Sequence, residues 1–216
     1  MNVNFQYSKT LAIEGSVLIL LGLIPTIGWV LGIVGIVLLL RATKELSYYY
    51  QDDSIHQNAW TGLKYYIVAL IALAVGTGVG IASFAAAGLF ASGAVFAFTA
   101  GIAAGIIAIL AGLAVAFVFY LLAAMHLRKA YETLAQKTGE ASFTTASTLL
   151  FIGAILTIVG IGVLLILVSW IFVIIGFSTM KPKEYQPYNP QANGYGYAAP
   201  PTQSPPQAAT TQTTTA

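Results

Sequence analysis

The side chains able to do acid–base or metal chemistry are few. Glu14 is the one carboxylate inside an apolar run, about one turn from its start. His56 follows closely on Asp52 and Asp53, and His126 stands 70 residues further along. An ionisable group within hydrocarbon usually marks an ion or proton path, but a coupled transporter normally needs more than one. A histidine beside two carboxylates has the donor types for a divalent metal. It lacks the H-E-x-x-H type of spacing that makes such a site recognisable, and a polar loop cluster is more often simply solvated. His126 falls where an apolar run meets a charged one, where a lone imidazole contacts headgroups more often than it catalyses. No Ser/His/Asp set and no carboxylate pair can be assembled within the apolar segments. The chain has no cysteine, which removes disulfides, thiolate metal sites and thiol nucleophiles. The expectation is a protein that is not an enzyme, with no cofactor and no metal.

The elements that carry these residues are unusual in composition. Of 216 residues, 58% are hydrophobic and only 7% charged. A soluble domain has about a quarter charged residues, so this chain could not cover a core with polar surface. The partner it implies is the lipid bilayer. Its net charge of +2 offers no basic surplus for nucleic acid.

About 20 mostly apolar residues cross the roughly 30 Å of bilayer hydrocarbon, and six segments approach this. Leu11–Ile24 and Ile27–Leu40 form a short pair broken at Pro25-Thr26. Tyr65–Ala82 and Gly101–Met125 are the third and fourth. Thr145–Val159 and Gly162–Met180 form a second pair, broken at Gly160-Ile161-Gly162. The first pair either crosses with its flanking Lys and Arg reaching back to the headgroups, or dips in and returns. Its likeness to the last pair favours crossing. Gly22-Leu-Ile-Pro-Thr-Ile27 aligns with Gly153-Ala-Ile-Leu-Thr-Ile158, and Trp29 would answer Trp170. A repeated hairpin suits a pseudo-symmetric bundle, although two apolar hairpins also match by composition alone.

The 63 residues between Lys64 and Arg128 carry no Lys, Arg, Asp or Glu. The small-residue stretch Ser83–Ala100 reads as a non-cytoplasmic linker between two crossings. With six spans, every charged residue then falls on one side, and the connections at 25–28, 83–100 and 159–162 carry none. Excess Lys and Arg mark the cytoplasmic side, so both termini are expected there, in a multi-pass protein of the cell membrane. Arg41–Tyr50 and His126–Thr138 read as helical extensions of the second and fourth spans, with Gly139 as a left-handed terminator. His56 falls in a polar loop. Leu127, Ala130, Tyr131, Leu134 and Ala135 form an apolar stripe at helical spacing, suited to packing on headgroups or on 42–50, and alternatively to docking a partner. Tyr48–Tyr50, Trp60 and Tyr65–Tyr66 fit an interfacial aromatic belt.

Two constellations remain. Glu14 lies about 11 residues below the Pro25 turn and Arg41 about 16, a gap of roughly 6–8 Å along the helix axis that their side chains can close, and the two are expected to form a structural ion pair. Gly28 and Gly32, Gly76 and Gly80, and Gly101 and Gly105, extended by Ala108 and Gly112, are spaced four apart. Small residues at that spacing let helices approach closely, in a tight bundle or a homo-oligomer. Residues 1–180 thus read as a membrane-embedded helical domain. Residues 181–216 hold seven of the eight prolines with Gln, Tyr and Thr and read as a disordered tail. The amino-terminal run is not expected to be a secretory signal, because Glu14 interrupts it and a second span follows at once.

Several strings are more distinctive. Ser8-Lys-Thr-Leu11, Gly22–Trp29, Lys44-Glu-Leu-Ser-Tyr-Tyr49 and Asp53-Ser-Ile-His-Gln-Asn-Ala59 are four. Leu127–Gly139 and the closing hairpin with Ser169-Trp170 complete the set. Together they resemble a prokaryotic, largely archaeal, membrane family catalogued as domain of unknown function 996, over about Ser8 to Met180. The resemblance implies a multi-pass membrane protein and carries over no catalytic residue. The expected role is a scaffold or interaction protein in the membrane. The alternative is a small channel or facilitator for neutral solutes or ions, lined by the glycines of the third and fourth spans. A water-wide polar cavity would favour the second and a dry bundle the first.

Overall fold

A computed structural model describes residues 4–22, 24, 28–89 and 95–182, without the side chains of Trp29 and Leu89. The described residues form six α-helices and no strand: α1 (Phe5–Leu21), α2 (Gly28–Tyr50), α3 (Ser54–Leu89), α4 (Val95–Thr138), α5 (Ala141–Leu156) and α6 (Gly162–Thr179). A single 3-10 turn, Thr157–Val159, extends α5. The fold is an all-α bundle. Four of its helices, α3, α4, α5 with its 3-10 turn, and α6, are long and apolar enough to cross a membrane. The tail from 183 onward and the Pro25-Thr26 break lie outside the described residues.

Local chemistry sets the helix ends. Asn4 caps α1, its side chain accepting from the backbone N–H groups of Gln6 and Tyr7. The corner after α2 turns through Gln51, at φ 53°, and the Asp52 carboxylate accepts from the Ser54 N–H at the start of α3. Gly139 (φ 73°) ends α4 and Gly160 (φ 83°) opens the α5–α6 turn. Both lie in the left-handed region where a Cβ would be strained.

Two sequence expectations are corrected. The polar stretch holding His56 is not a loop but the first turns of α3. The stretch 83–100, read as a linker, is helical over 83–89 and 95–100. Its alanines are the strongest helix formers, and no proline interrupts them, so α3 and α4 run on as one long hairpin. The extensions over 41–50 and 126–138 are helical as expected, with Gly139 left-handed.

Each helix packs on its neighbour in the chain, and α6 returns to pack on α1. The ring closes around a core at one end of the bundle. There Tyr131, Phe143, Phe177, Leu46, Leu134 and Met180 are fully buried. Phe143 stacks on Tyr131 at 6.2 Å and meets Phe177 edge-on at 5.0 Å. The apolar stripe on α4 is therefore internal, with Ala130, Tyr131 and Leu134 turned into the core.

The glycines named from spacing serve packing inside the chain. A Cβ built on Gly76 would lie 2.6 Å from Gly112 Cα, and the reverse distance is the same. Gly80, Gly105 and Gly101 continue this α3–α4 seam against Ile109, Phe84 and Ala87. Gly28 and Gly32 face Gly22 across the first hairpin. Gly15 and Gly35, absent from the spacing pattern, hold α1 against α2. Gly153 faces Gly162 much as Gly22 faces Gly32, so the aligned glycines play one role in both hairpins. Trp29 and Trp170 do not correspond, because Trp29 opens α2 whereas Trp170 lies in the middle of α6.

A large side chain on the seam should overpack it. Gly76→Leu and Gly112→Leu are each expected to destabilise by about 1–3 kcal/mol. Gly78→Leu, where nothing lies within 4 Å, should change stability by no more than about 0.5 kcal/mol. Thermal unfolding in detergent reads all three, and equal losses at positions 76 and 78 would contradict the seam.

Candidate functional site: the polar end of the bundle

Most of the polar ties between helices gather at the end where α1, α3 and α5 begin and α2, α4 and α6 finish. Ser8, fully buried on α1, donates its hydroxyl to Glu45 Oε2 of α2 at 2.8 Å. Thr43 Oγ1 of α2 lies 3.4 Å from His56 Nδ1 of α3. Thr43 already donates to the Leu40 carbonyl, so the ring nitrogen is the donor in this contact. His126 Nδ1 of α4 meets Asn58 Oδ1 of α3 at 3.2 Å, its ring stacked on Tyr65. Lys137 near the end of α4 pairs with Asp52 in the α2–α3 corner at 3.0 Å. Thr179 of α6 donates to Glu140 Oε2 in the α4–α5 turn at 3.0 Å. Lys9 of α1 donates to the Met180 carbonyl at 3.0 Å, placing a cation on the carboxyl end of α6. These contacts join α1 to α2, α2 to α3, α3 to α4 and α6 to α1, and tie α6 to the α4–α5 turn.

Electrostatics follow from the same geometry. Hydrogen bonds from Ser54 and then Lys137 hold the Asp52 carboxyl below the usual carboxylate range. Burial, with Tyr49 adding to it, pushes the Tyr50 hydroxyl up to about 12. The hydroxyls of Tyr50 and Tyr131 are buried without a hydrogen-bond partner among the described residues. Asp52 is thus committed to Ser54 and Lys137, and His56 to Thr43. Among the described residues no group of three His, Cys, Asp or Glu is arranged to hold a metal ion.

The expected Glu14–Arg41 pair is not formed. Both side chains are exposed, and the ion pairs among the described residues are Arg128–Glu132 at 2.6 Å and Lys137–Asp52. Depth is not the obstacle, since Gly15 packs on Leu39 and sets Glu14 nearer the level of Arg41 than counting from the turn gives. The direction around the helix is. Gly15 faces α2, and successive helical residues point about 100° apart, which turns Glu14 away. Sequence reasoning missed the Ser8–Glu45 bond in the same hairpin. The available signal was an i-to-j spacing mirrored about the Pro25 turn.

A ring of apolar helices, several long enough for a bilayer, with its polar ties at one end, is the class of helical bundle consistent with a membrane protein. Residues 31–171 match the family described as "Protein of unknown function (DUF996)", and the chain belongs to that family. The matched region runs from the start of α2 into the middle of α6. The chain is also 27% identical over 158 residues to "Uncharacterized protein MJ1644" of Methanocaldococcus jannaschii. That match covers 71% of this chain and 81% of the relative. No solved structure matches.

The Asp52–Lys137 tie has a definite pH signature. A carboxyl held low in the folded state adds stability above its unfolded pKa and loses it as pH falls through the folded value. Asp52→Asn should lower stability at neutral pH by about 0.5–1 kcal/mol, as expected for a partly exposed pair. The difference from the wild type should shrink on acidification. A deficit that persists in acid would assign the effect to the corner's backbone rather than to the charge.

Proposed function

We propose that this protein is an integral, multi-pass component of the cell membrane with both termini in the cytoplasm. It serves as a non-enzymatic structural or interaction scaffold whose partners are lipid and other membrane proteins. The observation that carries the scaffold reading is the filled axis of the bundle. Tyr131, Phe143 and Phe177 occupy the centre of the ring, fully buried, where a solute path would have to run. The glycines that could have lined a path are used instead to bring α3 and α4 into backbone contact. The cytoplasmic placement is supported by Lys9, Arg41, Lys44, Arg128, Lys129, Lys137 and Lys181. All of them lie toward the end of the bundle where the polar ties gather.

Because the chain has no cysteine, single cysteines can be introduced without background. Cysteines replacing Ser54 and Thr138 should react with an impermeant maleimide only from the cytoplasmic side, and one replacing Ser92 only from outside. Labelling of Ser92→Cys and Thr138→Cys from one side would overturn the orientation. Proteoliposomes should pass neutral solutes and ions no faster than empty vesicles, and a protein-dependent flux would replace the scaffold with the channel reading.

A further inference from the structure

The three hairpins differ greatly in length, and their contacts fix how they are staggered. α3 and α4 have 36 and 44 residues, whereas α1 and α6 have 17 and 18. Thr157, at the turn of the α5–α6 hairpin, neighbours the Tyr120 hydroxyl, and the Tyr120 ring in turn lies 6.4 Å from that of Tyr66. The α5–α6 turn is therefore level with about Leu70 of α3. The α1–α2 turn gives the same answer. Thr43 is level with His56, and counting back along α2 to Gly28 while counting forward along α3 reaches Ile71. Both short hairpins stop at one height. Beyond it α3 and α4 continue alone for about 25 Å at 1.5 Å per residue, closed on each other by the glycine seam.

The chemistry of the surface fixes where hydrocarbon must lie. On the polar side, exposed Glu14, Arg41 and Trp60 stand at nearly one level, with Lys64 one turn deeper and its ammonium 5.7 Å over the Trp60 ring. On the far side the lone α3–α4 stalk exposes Val75, Val79, Ile81, Ile107 and Leu110 and carries no charge. A bilayer drawn around the short hairpins alone would leave this stalk bare in water, a larger apolar patch than soluble surfaces tolerate. A bilayer entered at Trp60 meets the short-hairpin turns about 16 Å in, at 1.5 Å per residue. That is close to half of the roughly 30 Å hydrocarbon thickness. The stalk leaves the hydrocarbon about 20 residues beyond Trp60, near Gly80 of α3 and the Gly105–Ile109 turn of α4 that packs on it.

We infer that the two short hairpins end near the middle of the bilayer and that only α3–α4 passes through both leaflets. The protein is then a wedge, six helices wide in the cytoplasmic leaflet and two in the other, and its ligand is a membrane curved to match. This rests on the membrane reading above and narrows it, because returning hairpins keep every charge on the same side. A wedge of this sense fits a leaflet expanded on the side of the polar ends. It would recognise, or at high density produce, membrane that bulges toward the cytoplasm.

Two measurements on the full chain test this. Cysteines replacing Ile24 and Ile158, both exposed near the hairpin turns, should resist impermeant maleimide from either side. A fluorophore attached there in detergent should, after reconstitution, be quenched most by lipids brominated near the acyl-chain ends. Labelling of these cysteines from outside, together with Ser92→Cys, would show that the short hairpins cross and would overturn the wedge while leaving the membrane reading intact. Failure of Ser92→Cys to label from outside, or release of the protein by alkaline carbonate, would instead overturn the membrane reading itself. In phosphatidylcholine–phosphatidylglycerol vesicles, the protein should be severalfold denser per lipid in small sonicated vesicles than in large extruded ones, with polar ends outward. Equal density and random orientation would overturn the curvature preference.

Discussion

Helices surrounded by lipid gain little by hiding apolar surface from one another, because the lipid is as apolar as they are. What holds such helices together must be close backbone packing or hydrogen bonds. This chain divides the two by position. Along the α3–α4 stalk the contact is glycine on glycine, with Gly76 against Gly112. At the other end it is a series of polar ties, from Ser8–Glu45 at the α1–α2 junction to Lys9–Met180 at the α6–α1 junction. The aromatic core beneath that series is the one place where the bundle resembles a soluble protein.

This division explains which parts of the architecture were legible in the sequence. Helix number and the long apolar runs follow from composition and the uncharged stretch after Lys64. The left-handed Gly139 follows from its place after a charged helical run. The extent of α3 and α4 did not, because an alanine-rich connection has neither a turn signal nor a reason to stop being helical. The first turns of α3 were hidden in the same way, since Ser54–Ala59 is polar enough to pass for a loop. Its pairing with α2 and α4, through His56 and Asn58, is a tertiary fact.

The polar end shows a different limit. Counting from a turn places residues in depth, and it put Glu14 within side-chain reach of Arg41. It says nothing about which way each side chain faces, which depends on where the neighbouring backbone approaches. Gly15 settles that by admitting α2, so Ser8 meets Glu45 while Glu14 turns outward. The glycines named from their spacing lie against neighbouring helices. Their partners within the same chain, such as Gly28 and Gly32 against Gly22, could not be read without the fold.

The order of contacts along the chain carries a consequence for assembly. Five of the six helix junctions join consecutive helices and can form as each helix is synthesised, with little loop entropy to overcome. The sixth, between α1 and α6, spans a separation of 171 residues at the Lys9–Met180 bond. It must wait for the last helix. During synthesis the inner face of α1, with Ser16 and Ala12, stays open on that side while the rest of the bundle is already in place. The step that covers it is docking of α6, so the completion of folding is timed by the arrival of the final helix rather than by any slow local rearrangement.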